Sequence, residues 1–191
     1  GLFEKAELFS YDCSPSSADK RGNYNKFMIN EKNFIPFKNI IELSQDEISF
    51  LPKEKFDIIF IPNLIHHFRD QIGLFSTSHK SLKNQGKLII FEPTFREIHQ
   101  YPHDYIRYTP VGLENMMDKY GFKDIFSKES GDSFEALTYI LNVMKSKRED
   151  YQFNLWCDQI INNIEEFKTD KVDIVKEHAK FPTSFITFGT K

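Results

Sequence analysis

Cysteine is scarce: Cys13 and Cys157 are the only two in 191 residues. They are too few and too far apart for a disulfide framework or a zinc knuckle, and they fit a reducing cytosol. An excess of basic charge is missing too. The chain has 25 Lys and Arg against 28 Asp and Glu, a net charge of −3. That balance gives no general attraction to phosphate backbones, so nucleic acid is set aside as a partner. No long hydrophobic run occurs. The longest apolar stretch is broken by Asp57 and Pro62, far short of the roughly 20 residues a membrane helix needs. No charged-then-apolar leader opens the sequence, so the expected location is the cytoplasm, with no membrane partner. The eight glycines are scattered and form no G-x-G anywhere, which removes the dinucleotide fingerprint of nicotinamide enzymes.

What is present argues for a folded domain. Twenty Phe, eight Tyr and a hydrophobic fraction of 40% are incompatible with a disordered chain, and the length suits one core and one domain over 1–191. Ala6–Tyr11 reads as a short strand stopped by Asp12 and the turn-forming Ser14-Pro15-Ser16-Ser17. Residues 18–36 are polar and poorly periodic, and a frayed helix is expected there. Asn39–Leu43 reads as a second strand. Phe56–Ile61 and Lys87–Phe91 are nearly continuous in apolar character, as in strands buried on both faces of a parallel sheet. Between them Ile72, Phe75, His79 and Leu82 fall at helical spacing, and Gly86 is expected to close a turn.

Thr109 is a suitable N-cap, with Pro110 in the first turn, where its missing N–H costs nothing. Leu113, Met116, Met117 and Tyr120 form the stripe of this helix, Gly121 ends it, and a strand over 122–126 follows. A capping pattern at Asp132–Glu135 opens a helix striped by Phe134, Leu137, Leu141 and Met144. Phe153, Trp156, Ile160, Ile164 and Phe167 stripe another, and Ser184–Phe188 alternates like a half-buried strand. The alternation of strand and helix predicts an α/β architecture, a mostly parallel open sheet, with a helical insertion over 132–180 before the last strand. The insertion could cover a substrate or make a homodimer contact; core packing is the plainer use of its stripes.

Ligands of open α/β sheets sit at the carboxyl ends of strands. Asp12 could accept two hydrogen bonds from a ribose diol, or simply begin a turn. Asp46 could accept from an exocyclic amine with Ile48 as an apolar face, or be a solvated loop acid. His66 and His67 follow a buried strand; one could act as a general base near neutral pH, or pack with a backbone hydrogen bond. The polar-tipped aromatic run Tyr101–Pro110 could wall a substrate, or Asp104 and Arg107 could pair to fix the approach to the capped helix. His66, His67, His103 and Asp104 are metal-ligand types, but their spacing matches no metal motif, so no metal is expected. Neither cysteine has a basic neighbour in sequence, so neither is a nucleophile candidate.

In order, LFSYDCS (Leu8–Ser14), LPKEKFD (Leu51–Asp57), Leu64-Ile65-His66-His67-Phe68, SLKNQGKLIIF (Ser81–Phe91) with Glu92-Pro93, and DYIRYTPVGLENMMDKYG (Asp104–Gly121) resemble the class I S-adenosylmethionine-dependent methyltransferases of small-molecule type. The resemblance implies a Rossmann-like sheet with an antiparallel last strand and S-adenosylmethionine as cofactor. It implies Asp12 at the cofactor ribose, Asp46 near adenine, and Glu47 and Ile48 flanking that ring. Asn63, Leu64 and His66 would line the methionine end, with His103, Tyr105 and Arg107 toward a small-molecule acceptor. Catalysis there is largely positioning of an already activated methyl for transfer to oxygen or nitrogen, with His66 or His67 as base if the acceptor is a hydroxyl. The family's first strand ends in a glycine-rich loop, and the sequence from Gly1 is expected to begin just after it. The alternative is a remodelled domain in which residues 6–11 ladder directly with 56–61. A non-catalytic binding or scaffold module of the same fold is the competing functional expectation.

Overall fold

The computed structural model describes residues 51–166 and 181–191 with their side chains, and the backbone of 9–12, 26–30, 33–36, 39–42 and 167–169. β1 (Phe9–Asp12) and β4 (Asn39–Glu42) form a parallel ladder in which Asp12 is opposite Glu42. Between them in sequence, β2 (Lys26–Asn30) and β3 (Asn33–Pro36) make an antiparallel hairpin. Over 26–30 and 33–36 this corrects the frayed helix expected there; the remainder of the 18–36 expectation lies outside the described residues. Phe27 and Ile29, with Phe34 and Ile35 on the facing strand, are residue types that favour strands.

β5 (Phe56–Pro62), α1 (Gln71–Ser81) and β6 (Leu82–Pro93) form a strand–helix–strand unit with β5 parallel to β6. α2 (Pro110–Lys119) leads to β7 (Lys123–Ser130), and the helices α3 (Ser133–Ser146) and α4 (Tyr151–Thr169) precede β8 (Ser184–Thr190). The sheet order is β5-β6-β8-β7, and β8 alone runs against its neighbours. The architecture is the expected Rossmann-like α/β sheet with an antiparallel last strand. Among the described residues β1 ladders with β4 and β5 with β6, and no ladder joins β1 to β5.

Local chemistry accounts for the elements. Thr109 Oγ1 accepts from Gly112 N at 3.1 Å with Pro110 in the first turn, and Asp132 Oδ1 accepts from Glu135 N at 2.8 Å. Each cap satisfies an orphan N–H and contributes about 1 kcal/mol. Gly121 ends α2 at φ 93°, a backbone conformation that strains any side chain. Leu113 and Met117 of α2 are fully buried against β8. A Cβ at Gly189 would sit 2.4 Å from Met117 Cε, so any side chain there would make the Met117 tip shift. Phe75, Leu82, Leu88, Ile90, Phe122 and Phe185 complete the core between helices and sheet, each contributing about 1.5–3 kcal/mol by burial.

Three local expectations are corrected. Ile58 and Phe60 are 52% and 47% exposed among the described residues, so β5 buries one face rather than two. β6 runs straight through Gly86 because Gln85 N and Gly86 O bond to the backbone of Lys191, which extends the ladder past Lys87. The buried side of α1 is Leu74, Phe75, Ser78 and Ser81; Ile72 faces out and Leu82 already belongs to β6. In the helical pair, Leu141, Cys157 and Ile164 form a second small core, while Trp156 stays 51% exposed. No helix among the described residues is long and apolar enough to cross a membrane.

His79 on α1 meets Phe122 edge-on, ring centroids 5.1 Å apart. Burial pushes its pKa below the ordinary value, the Lys191 charge adds to this, and the Gly121 backbone opposes it. As pH falls past about 6.5 the unfolded chain takes up this proton first, so stability present above that value is lost below it. Urea midpoints at about pH 7.5 and about pH 5.5 should therefore fall further for the wild type than for His79→Gln. Equal losses would show that His79 does not contribute.

Candidate functional site

The carboxyl ends of β5 and β6 meet in a dense polar network. Leaving β5, Asn63 takes φ 52°, a left-handed conformation that Asn tolerates better than most residues, and its N–H donates to Phe91 O at 2.6 Å. That reversal aims the next backbone N–H groups at Glu92, the penultimate residue of β6. Leu64 N and Ile65 N both donate to Glu92 Oε1 at 2.8 Å, and His66 Nδ1 lies 2.6 Å from Glu92 Oε2. The clamp holds the single 3-10 turn Ile65–His67. Gln71 supports it by donating to the carbonyls of Ile65 and Phe68, and receives a hydrogen bond from Tyr108 Oη.

A second layer comes from the segment after β6. His67 Nδ1 bonds the carbonyl of His103, and Tyr105 N donates to His66 O at 2.9 Å. Asp104 accepts from both terminal nitrogens of Arg107 and from His99 N, and its Oδ2 lies 3.2 Å from His99 Nδ1. Arg107 also donates to the carbonyls of Glu97 and Ile106. The Arg107 guanidinium holds the Asp104 carboxyl far below the usual carboxylate range against the opposing effect of burial. Its own pKa is raised in return. Burial pushes the His67 imidazole below the ordinary histidine value, partly opposed by the His103 carbonyl.

His66 and His67 are 0% and 2% exposed, so the two base candidates are buried. Their rings and that of His99 are packed with centroids 4.1, 4.8 and 5.1 Å apart. Asn63 is exposed and accepts from Arg96 Nη1 at 3.2 Å, with Leu64 beside it. His103 and Tyr105 share a hydrogen bond from Nδ1 to the phenol oxygen at 3.0 Å, with the Tyr105 ring exposed. Arg107 fulfils the structural alternative, pairing with Asp104 before the capped helix. Asp12 ends β1, with its side chain outside the described residues; Asp46, Glu47 and Ile48 lie outside them altogether. Sequence reasoning assigned no role to Glu92 beyond its strand-end position and missed His99. Its separation from His66 follows no motif spacing, and only the fold of the 94–105 segment brings it in.

Residues 6–90 match the family model described as Methyltransferase domain. No curated protein matches at a significant level. Among solved structures, a SAM dependent methyltransferase from Archaeoglobus fulgidus is 13% identical at a TM-score of 0.53, the match covering 96% of this chain and 75% of that one. An S-adenosylmethionine dependent methyltransferase from Mesorhizobium loti is 13% identical at 0.52, covering 97% and 80%. Phosphoethanolamine N-methyltransferase 2 of Haemonchus contortus, in complex with S-adenosyl-L-methionine, is 16% identical at 0.46, covering 80% of this chain but 37% of that one. At these identities the likeness is one of fold.

Glu92→Ala removes the one acceptor shared by Leu64 N, Ile65 N and His66 Nδ1. The variant should lose about 1–3 kcal/mol of stability in urea denaturation, the scale of a buried donor left unsatisfied. A loss below about 0.5 kcal/mol would show that the loop does not depend on Glu92.

Proposed function

We propose that this chain, class I S-adenosylmethionine-dependent methyltransferase in fold and matched to the methyltransferase-domain family over residues 6–90, transfers a methyl group to an oxygen or nitrogen of a small molecule. The observation that carries the reading is the sheet. Two parallel ladders place Asp12, Glu42 and the Asn63–His67 segment at strand carboxyl ends, and an antiparallel last strand separates β6 from β7. Ligands of open α/β sheets bind at that end.

The residues fit the cofactor in chemical type. Parallel register sets Asp12 beside Glu42, and a carboxylate at a strand end suits the two hydroxyls of a ribose. Asp46, Glu47 and Ile48, a few residues past β4, are assigned to the adenine; exposed Asn63 and half-buried Leu64, whose N–H donates to Glu92, to the methionine end. When bound, S-adenosylmethionine supplies a methyl group already activated by its sulfonium. The chain's own work is then orientation and exclusion of water. His103 and Tyr105 are assigned to the acceptor, with Arg107 holding their segment through Asp104. His66 and His67 are the base candidates for an acceptor hydroxyl, and the depressed pKa of His67 favours its neutral, proton-accepting form. A cytoplasmic setting completes the reading, with buried Cys157 a free thiol.

The non-catalytic alternative has its own support: both base candidates are buried. Calorimetric titration of the full-length gene product with S-adenosylhomocysteine separates the two. Micromolar binding, weakened by about 1–3 kcal/mol in Asp12→Ala, is expected of the enzyme. Absence of binding at millimolar ligand supports the scaffold, and unchanged affinity in the variant removes Asp12 from the site.

A further inference from the structure

We propose that His66, His67 and His99 form a binding site for a divalent transition-metal cation, zinc above all, with Glu92 and Asp104 orienting the ligand rings. One ring nitrogen from each histidine lies within 4.8 Å of the other two. Neutral imidazole is a favoured zinc ligand, and three protein ligands leave a fourth position for water or another small ligand.

The argument starts from protons. His66 Nδ1 faces only the Glu92 carboxylate, at 2.6 Å, and His99 Nδ1 faces the Asp104 carboxylate and the Glu97 carbonyl, both at 3.2 Å. All of these are acceptors, so each Nδ1 carries a hydrogen, and in the neutral ring Nε2 keeps the lone pair a metal would take. The two Nε2 atoms nevertheless face each other at 3.4 Å. That approach is met by a proton on one ring, giving an N–H···N hydrogen bond, or by a metal cation between two neutral rings.

Geometry favours a metal. Nitrogens about 2.0–2.1 Å from a tetrahedral zinc lie about 3.3–3.4 Å from one another, which is the His66–His99 separation. The third ligand nitrogen, from His67, lies within 4.8 Å of the other two and moves inward to complete the same tetrahedron. The surroundings already have the form of a metal site's outer shell, since ligating histidines almost always give their other N–H to a carboxylate or carbonyl. Here Glu92 serves His66, the His103 carbonyl serves His67, and Asp104 with Glu97 O serves His99. Two carboxylates are balanced by one fixed cation, Arg107, so a cation is electrostatically welcome. Access is past His99, whose side chain is 16% exposed while that of His66 is 1% exposed. In the occupied site the histidines are ligands, and a fourth-position water or hydroxyl would be the group whose proton is labile.

The site is tested by metal uptake alone, without cofactor or acceptor, so its result is separate from that of the methyl-transfer reading. Chelator-stripped full chain is titrated with Zn²⁺ against a chromogenic competitor, and with Co²⁺ by visible absorption. The expected result is one Zn²⁺ per chain and the intense d–d bands of tetrahedral Co²⁺. His99→Ala, at the accessible edge, should lose at least about 100-fold in Zn²⁺ affinity while keeping its circular dichroism. His67→Gln should behave likewise, and His79→Gln, on α1, should match the wild type. No uptake by the folded wild type, weak octahedral Co²⁺ absorption, or uptake unchanged in both His99→Ala and His67→Gln would overturn the proposal.

Discussion

The Glu92 carboxylate is the contact on which the site depends. It stands at the end of β6 and gathers Leu64 N, Ile65 N and His66 Nδ1, all at 2.8 Å or less. A loop leaving a buried strand carries N–H groups that cannot be left unpaired. Here one charged acceptor answers three donors, and charge-assisted bonds are about twice as strong as neutral ones. The loop geometry is therefore set by the neighbouring strand and not by the loop's own propensity. Asn63, with its left-handed φ, supplies the turn that makes the convergence feasible.

Much of the fold was legible because local and long-range signals agree in the second half of the chain. Thr109, Pro110 and Gly121 mark both ends of α2, and Asp132 marks the start of α3, each through a backbone requirement independent of tertiary context. Where packing decides, the pattern misleads. Ile72 and Trp156 occupy helical stripes yet face outward, while Ser78, Ser81 and Cys157 fill the buried positions because small side chains let elements approach closely. The hairpin Lys26–Pro36 was obscured by its polar residues, which periodicity alone reads as unstructured.

The site was half legible for a related reason. His66 and His67 follow a recognisable buried strand, and Asp104 with Arg107 precedes a recognisable cap, so their neighbourhoods could be placed. Nothing in sequence connects His99 with His66, because their meeting depends on how residues 94–105 fold back over the 3-10 turn. Burial likewise escapes a one-dimensional reading. A histidine after a strand can be an open base or a sealed one, and the accumulated contacts of Glu92, His103 and Tyr105 make these two sealed.

The helical pair has a place in the same network. Tyr139 of α3 hydrogen-bonds Glu97 and its ring meets Phe95 edge-on, with centroids 6.1 Å apart. The phenol lowers the Glu97 carboxyl pKa, and its own pKa is raised, chiefly by burial. Glu97 in turn gives its carbonyl to Arg107 and His99, while neighbouring Arg96 reaches Asn63. The helices inserted between β7 and β8 thus brace the segment that carries His99 and fastens Asn63. A displacement of α3 would act on both at once, through Glu97 and Arg96, without touching β5 or β6. Through these two contacts α3 is tied to the segment at the carboxyl end of the sheet, apart from any surface the helices offer to solvent.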